Sequence, residues 1–363
     1  MKIKLAILDS DRTYLNRITA VFTEKFPDKL EVHAFSDALL SLIDLPKSKI
    51  DVFIASSSFE IDMADIPAGC GFAYLVDSPK IETCNGQKVI NKFQKAELIY
   101  KDILKIFSDM ADNSAFGFKF DSNETTRIIA FVSAGGGTGS STMAAACAAA
   151  LTRRGCAAIY LNLEQFGSPA IFFRSQGQAS FSDVIYSLKS KKANLPLKLE
   201  SLLKRDEENG VCYYDPANIA LDLLEVREED CEKLFGALSA LNFSHIILDM
   251  DFSLHQDCLD ILKMAHTIVF VSDGSEAANL KFERAHAALV VLDQHDETNL
   301  CQRLALMYNR FSSKTSVRLE SPLTVLGGAP KYEQATAREI VRQLAGMPLF
   351  DALVSDASTN NNK

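Results

Sequence analysis

The 363-residue chain contains no tryptophan, and its eight cysteines never form a C-x-x-C pair. Cys70, Cys84, Cys147, Cys156, Cys212, Cys231, Cys258 and Cys301 are scattered along it. That spread supplies neither a zinc ligand set nor a disulfide framework; it fits reduced, buried thiols in a cytosolic protein. The six histidines show no H-E-x-x-H or similar ligand spacing, so the only metal expected is magnesium held with a nucleotide. No run approaches the roughly 18 consecutive apolar residues that span a bilayer. The N-terminal MKIKLAILDSDR turns acidic too soon for a signal peptide. Positive charge is in short supply: 38 Lys and Arg against 47 Asp and Glu leave a formal charge of -9, which argues against broad nucleic-acid binding. One further absence carries more chemistry, and it is a single lysine.

The segment Ser133-Ala-Gly-Gly-Gly-Thr-Gly-Ser-Ser-Thr142 follows an apolar run and opens an alanine-rich stretch. A phosphate-binding loop usually reads G-x-x-x-x-G-K-[ST]. Here Ala134 takes the first glycine's place, Gly139 keeps the second, Ser140 stands where the lysine belongs, and Ser141 keeps the hydroxyl. A strand–glycine loop–helix unit aims backbone N–H groups at one point, and the helix N-terminus adds partial positive charge. Gly135, Gly136, Gly137, Thr138, Gly139 and Ser140 are therefore candidate phosphate-cradle residues. Ser141 is placed to bind Mg²⁺ and Thr142 to donate to an α-phosphate. The plainer reading, a turn that packs a helix on a sheet, is weaker because the flanking patterns fit a cradle.

A second support is Phe243-Ser-His-Ile-Ile-Leu-Asp249-Met-Asp251, an apolar strand pattern ending in an acid. Such an aspartate can hold magnesium, often through water, and Asp249 is the expected magnesium residue. A strand-end aspartate is common without function; the pairing with the loop gives it weight. Asp251 reads as an outer or solvated acid.

At this length two domains are the natural expectation. The polar stretch Met110 to Thr126 reads as a linker, giving domains at 1–109 and 127–354 with a tail at 355–363. The tail reads as disordered. Before the linker, strand patterns at Ile3–Leu8, Glu31–Phe35, Val52–Ala55, Ala73–Val76 and Val89–Ile90 alternate with helical ones at Arg12–Lys25, Ala38–Ile43 and Ala96–Phe107. After it, strands are expected at Arg127–Val132, Ala157–Leu161, His245–Leu248, Ile268–Val271, Leu304–Tyr308 and Thr324–Leu326, with a helix at Ser140–Arg154. The fold class is α/β: two doubly wound domains, a small receiver-like (flavodoxin-like) sheet followed by a mostly parallel P-loop NTPase sheet. The lysines at 189, 191, 192, 198 and 204, with Arg205, form a basic region interrupted by acids, which reads as a solvated helix face.

The loop, the strand ending at Asp249, Leu304-Ala-Leu-Met-Tyr-Asn309-Arg310 and Leu326-Gly-Gly-Ala-Pro330 resemble the MinD/ParA group of ATPases over about Arg127 to Leu353. The resemblance implies ATP and Mg²⁺ as cofactors. It implies that Asn309 contacts adenine and that Arg310, Pro330, Lys331 and Tyr332 lie near the base. In that group the loop reads like S-G-K-G-G-x-G-K-[ST]-T; its distinctive first lysine falls on Gly135 and its general lysine on Ser140. Its D-x-D switch becomes Asn162-Leu-Glu164, and Asn162 cannot act as a base. Glu164 is the remaining candidate catalytic carboxylate, with a plain surface role nearly as plausible. Arg174, Lys281 and Arg310 could replace the lost cations, although a solvated surface role is the simpler reading of the first two.

The first domain resembles a response-regulator receiver over about Met1 to Asp109. Its opening strand ends at Asp9-Ser10-Asp11, Lys92 matches the receiver's lysine, and Ser56 falls where the phosphorylated aspartate belongs. Ser57 and Ser58 follow. Asp9 and Asp11 read as helix-capping residues ahead of metal ligands. This is a degenerate receiver, used for protein contacts or oligomerisation. The order of the two domains resembles that of the TadZ/CpaE proteins. The resemblance implies an ATP-binding localisation or scaffold protein for Tad (Flp) type IV pilus assembly, a homodimer, cytoplasmic and concentrated at a bacterial cell pole. Its partners would be Tad assembly proteins or a polar landmark, and its ATP hydrolysis slow at most. The C-terminal residues lack the basic amphipathic helix with which MinD proteins anchor to membranes. Two alternatives are an active ParA-like DNA-dependent partitioning ATPase and a transcriptional regulator with a receiver input. No helix-turn-helix signal supports the latter.

Overall fold

In the computed structural model, residues 2–110, 126–190, 194–296, 298–320 and 323–355 are described. Most of the stretch read as a linker and the tail at 356–363 lie outside them. Contacts divide the chain into two compact units.

The first unit alternates β1 (Ile3–Leu8), α1 (Arg12–Lys25), β2 (Leu30–Phe35), α2 (Ala38–Ser48), β3 (Val52–Ser56), β4 (Gly71–Val76), β5 (Val89–Asn91) and α3 (Ala96–Met110). Its strands form a five-stranded sheet in the order β2-β1-β3-β4-β5, parallel throughout. Every residue of β3 and β4 is buried, as expected for a parallel sheet covered on both faces. Asp11 caps α1 by accepting from the Thr13 and Tyr14 amides. Helix α2 runs five residues past the expected end, through Pro46. It buries Ser41 while Leu39, Leu40 and Ile43 face solvent.

The second unit contains β6 (Arg127–Val132), α4 (Ser140–Arg153), β7 (Ala158–Asn162), α5 (Phe181–Lys189), α6 (Leu195–Leu202), β8 (Lys204–Arg205), β9 (Cys212–Tyr213), α7 (Glu228–Ala240), β10 (His245–Asp249) and α8 (Gln256–Met264). Then follow β11 (Thr267–Ser272), α9 (Glu276–Asp296), β12 (Leu304–Phe311), β13 (Thr324–Pro330), α10 (Ala337–Leu344) and α11 (Asp351–Ser355). The sheet order is β13-β12-β11-β6-β10-β7-β9-β8, with only the β8–β9 pair antiparallel. Residues Met143 to Leu151 of α4 are all fully buried. Their alanines have little side chain to hold the helix off the sheet, so α4 lies close against β6, β7 and β10. That fixes where its N-terminus, and hence the glycine loop, sits.

Although most of α6 is embedded in the sequence of the second unit, Ser190–Ser201 clusters with the first. Leu197 enters that unit's core beside Tyr100 and Phe107. Glu200 accepts from Lys29 at 3.1 Å and from the Tyr100 hydroxyl at 3.3 Å, and Lys198 pairs with Asp109 at 2.9 Å. The described part of the basic region is largely neutralised: Lys189 pairs with Asp230 at 2.5 Å, and Lys204 pairs with Asp215. The apolar C-terminal residues Leu349, Phe350 and Leu353 lie in the core of the second unit. Among the described residues no helix is long and apolar enough to cross a membrane.

Candidate functional site

Strand β6 lies inside the sheet between β11 and β10, so the loop that leaves it opens at the carboxyl edge, where α/β sheets hold ligands. Gly137 and Gly139 adopt φ of 82° and 88°, which residues with a Cβ avoid. At Gly139 a Cβ would also stand 2.2 Å from the Asn309 amide nitrogen. The loop encloses one side of a cavity of about 420 Å³. Ser133 to Gly137 and Gly139 to Thr142 line it together with Glu164, Ile171, Phe172, Met250, Asp251, Phe252 and Arg310.

Asn309 and Arg310 brace the loop from behind. The Asn309 amide donates to the Thr138 carbonyl at 2.9 Å and accepts from the Arg310 N–H at 3.0 Å. Arg310 donates from Nη1 to the Gly137 carbonyl at 2.9 Å, and it is the one cationic side chain among the lining residues. Pro330 and Lys331 are exposed and are not among the lining residues. Neither Arg174 nor Lys281 is among the lining residues, although Lys281 lies beside Gly135, which is.

Opposite the loop, the ends of β7 and β10 run side by side with Asn162 in register with Asp249. Asp249 is fully buried. Its Oδ2 accepts from the Tyr160 hydroxyl at 2.5 Å and from the Asn162 amide at 2.9 Å. Glu164 accepts from the Ser141 hydroxyl at 3.1 Å and from Asn162 at 3.3 Å. One network thus joins the P-loop serine, both carboxylates and Asn162. Burial, reinforced by the charge of Glu164, pushes the Asp249 carboxyl up to about 7 against the donors Tyr160, Asn162 and Ser141. Burial also raises the Tyr160 phenol, reinforced by Asp249, so Tyr160 stays a proton donor. Asp251 sits at the rim and accepts from the Gln165 N–H at 3.2 Å.

Two buried atoms in this region are unfinished. Asp249 Oδ1 and Thr138 Oγ1 make no hydrogen bond of ordinary geometry among the described residues. Buried polar groups are normally satisfied, so an orphaned carboxylate oxygen beside a backbone cradle fits a bound cation and a phosphate. The sequence points to the loop, Asp249 and Glu164. It gives no sign of Tyr160, whose hydroxyl reaches Asp249 only because β7 and β10 pair in this register.

In the first unit Asp9 does not cap α1. It is buried, accepts from the Asp11 N–H at 2.8 Å and pairs with Lys92 at 2.7 Å. Lys92 Nζ also lies 4.5 Å from the centre of the Tyr14 ring. Ser56 ends β3, largely buried, with its hydroxyl 3.0 Å from that of Ser58.

Residues 1–108 match the family described as TadZ-like, receiver domain. No curated protein matches the sequence. Among solved structures, the ParA family ATPase from Chlorobium tepidum TLS is 18% identical, over 64% of this chain and 98% of its own, with a TM-score of 0.50. The septum site-determining protein MinD from Pyrococcus horikoshii OT3, solved with Mg-ADP, is 16% identical over 65% of this chain and all of its own, with a TM-score of 0.47. Identities this low speak to fold alone. The first unit is thus similar to TadZ-like receiver domains, and the second shares the fold of the ParA family ATPase.

Proposed function

We propose that the second unit holds Mg-ATP and turns it over slowly at most, and that the nucleotide-held protein acts as a localisation scaffold in Tad pilus assembly. The observation that carries this reading is the network around Asp249. It keeps a buried carboxylate with one unfinished oxygen beside the P-loop hydroxyl, yet presents Asn162 where a base is required. Loop amides and the α4 N-terminus would hold the phosphates, and Ser141 and Asp249 the magnesium, the latter through water. When bound, magnesium neutralises phosphate charge. Glu164 lines the cavity, is held by Ser141 and Asn162, and would be the carboxylate that orients water.

Phosphoryl transfer requires the developing charge to be offset. Losing one such donor costs on the order of 10²–10³ in rate, and two lysines are absent from this loop. Binding suffers less, because the backbone cradle remains. Asn309, Pro330 and Lys331 would flank the base, although the Asn309 amide already serves the loop. The domain limits we adopt are 1–109 and 127–354, with Ser190–Ser201 seated on the first. The first unit lacks an aspartyl acceptor and serves protein contacts, a role supported by the solvent-facing Leu39, Leu40 and Ile43 of α2. A homodimer in the cytoplasm, recruited to a pole by other Tad proteins, completes the proposal. Isothermal titration with Mg-ATP, paired with a phosphate-release assay, tests it. Saturable binding with negligible release supports it; rapid steady-state release refutes it.

A further inference from the structure

Gly135 stands where the related ATPases resembled by this loop carry their distinctive lysine. Its surroundings are not vacant. A Cβ built on Gly135 would meet Lys281 Cδ at 3.1 Å and Lys281 Nζ at 3.6 Å. Lys281 belongs to α9, in the second turn after Glu276, far from the loop in sequence. Its aliphatic stem therefore fills the space a side chain at 135 would need, and its ammonium ends beside the loop backbone. At 3.1 Å the lysine stem would have to give by a few tenths of an ångström to admit a side chain at 135. Lys281 is exposed and forms no ion pair among the described residues. The other cation at the loop, Arg310, is spent on the Gly137 carbonyl.

We propose that Lys281 is a phosphate-binding residue, supplying from α9, within the same chain, the positive charge that the loop has lost. The inference rests on the Mg-ATP reading above. A four-carbon stem lets an ammonium shift toward a bound polyphosphate without backbone movement. The interaction is between an ammonium and a phosphate oxygen, the charge-assisted kind that is stronger than a neutral hydrogen bond. A partner-independent cation of this sort would also let a monomer bind nucleotide.

The test measures affinity of the full-length protein for a fluorescent ATP analogue with Mg²⁺, at several salt concentrations. The variants are Lys281→Ala, Lys281→Arg, and Lys281→Ala combined with Gly135→Lys. Hydrogen bonds to charged groups are worth enough that Lys281→Ala should weaken binding about tenfold or more and flatten its salt dependence. Lys281→Arg should stay near the parent. The double variant should recover affinity, because the cation returns to the same place from the loop side. If the parent binds and Lys281→Ala binds equally well, the role of Lys281 is overturned while nucleotide binding stands. If the parent itself does not bind, the underlying reading falls with it. Since Lys281 is exposed, all variants should fold, and matching melting curves check this.

Discussion

Replacing Asp249 by asparagine should stabilise the nucleotide-free, magnesium-free protein above neutral pH. The carboxyl is fully buried and raised from 3.8 to about 7 by burial and by Glu164. In the unfolded chain it releases its proton near its ordinary value, so the folded form is penalised as pH rises between about 4 and 7. Below that window both states are protonated and the penalty vanishes; above about 7 it is complete. The displacement corresponds to about 4 kcal/mol. Asparagine removes the charge. Its oxygen can still accept from Tyr160 and Asn162, and the charge assistance it loses is already contained in the net shift to about 7. The expected gain is about 4 kcal/mol at pH 8 and, because pH 5 is only about one unit above the ordinary value, less than about 2 kcal/mol at pH 5. Urea unfolding of both proteins in EDTA at the two pH values measures it. Equal differences at pH 5 and pH 8, or a destabilised variant at pH 8, would refute the argument. Adding Mg-ATP should then reverse the order, because a ligand that binds only the folded parent stabilises it by mass action.

Three other perturbations have clear expected outcomes. Gly139→Ala places a Cβ 2.2 Å from the Asn309 amide at a φ of 88°, so it should cost more than about 1 kcal/mol of stability and weaken nucleotide binding in the same titration. Lys92→Met leaves Asp9 buried without its cation, and denaturant unfolding should show a loss of about 3–5 kcal/mol in the first unit. Ser140→Lys should tighten Mg-ATP binding, but phosphate release should stay low until Asn162→Asp is added. A large rise from Ser140→Lys alone would show that the asparagine does not limit turnover.

Features written in contiguous residues were readable from the sequence. The glycine loop, the acid ending the β10 strand and the Asn162–Glu164 pair each lie at the end of an apolar run, and the fold follows from the β/α alternation. Features made by pairing across the chain were not. Tyr160 reads as one more apolar strand residue until β7 is set beside β10. Lys281 reads as one of three candidate replacement cations, and more simply as a solvated helix lysine, until the placement of α9 sets it beside Gly135. Asp9 reads as a cap because it precedes a helix, but the buried Lys92 takes it and leaves capping to Asp11. Helix α6 reads as part of the second unit because sequence order says so; Leu197 and Glu200 carry it to the first. The two-residue strands β8 and β9 have no period to detect.

The central claim is that this site keeps its nucleotide. The most direct measurement incubates the full-length protein with Mg-ATP, isolates the complex and identifies the bound nucleotide and free phosphate chromatographically. Intact ATP on the protein, with turnover at least about 10²-fold below that of an ordinary enzyme, is the predicted result. Bound ADP with many equivalents of phosphate released, or no bound nucleotide at all, would contradict it.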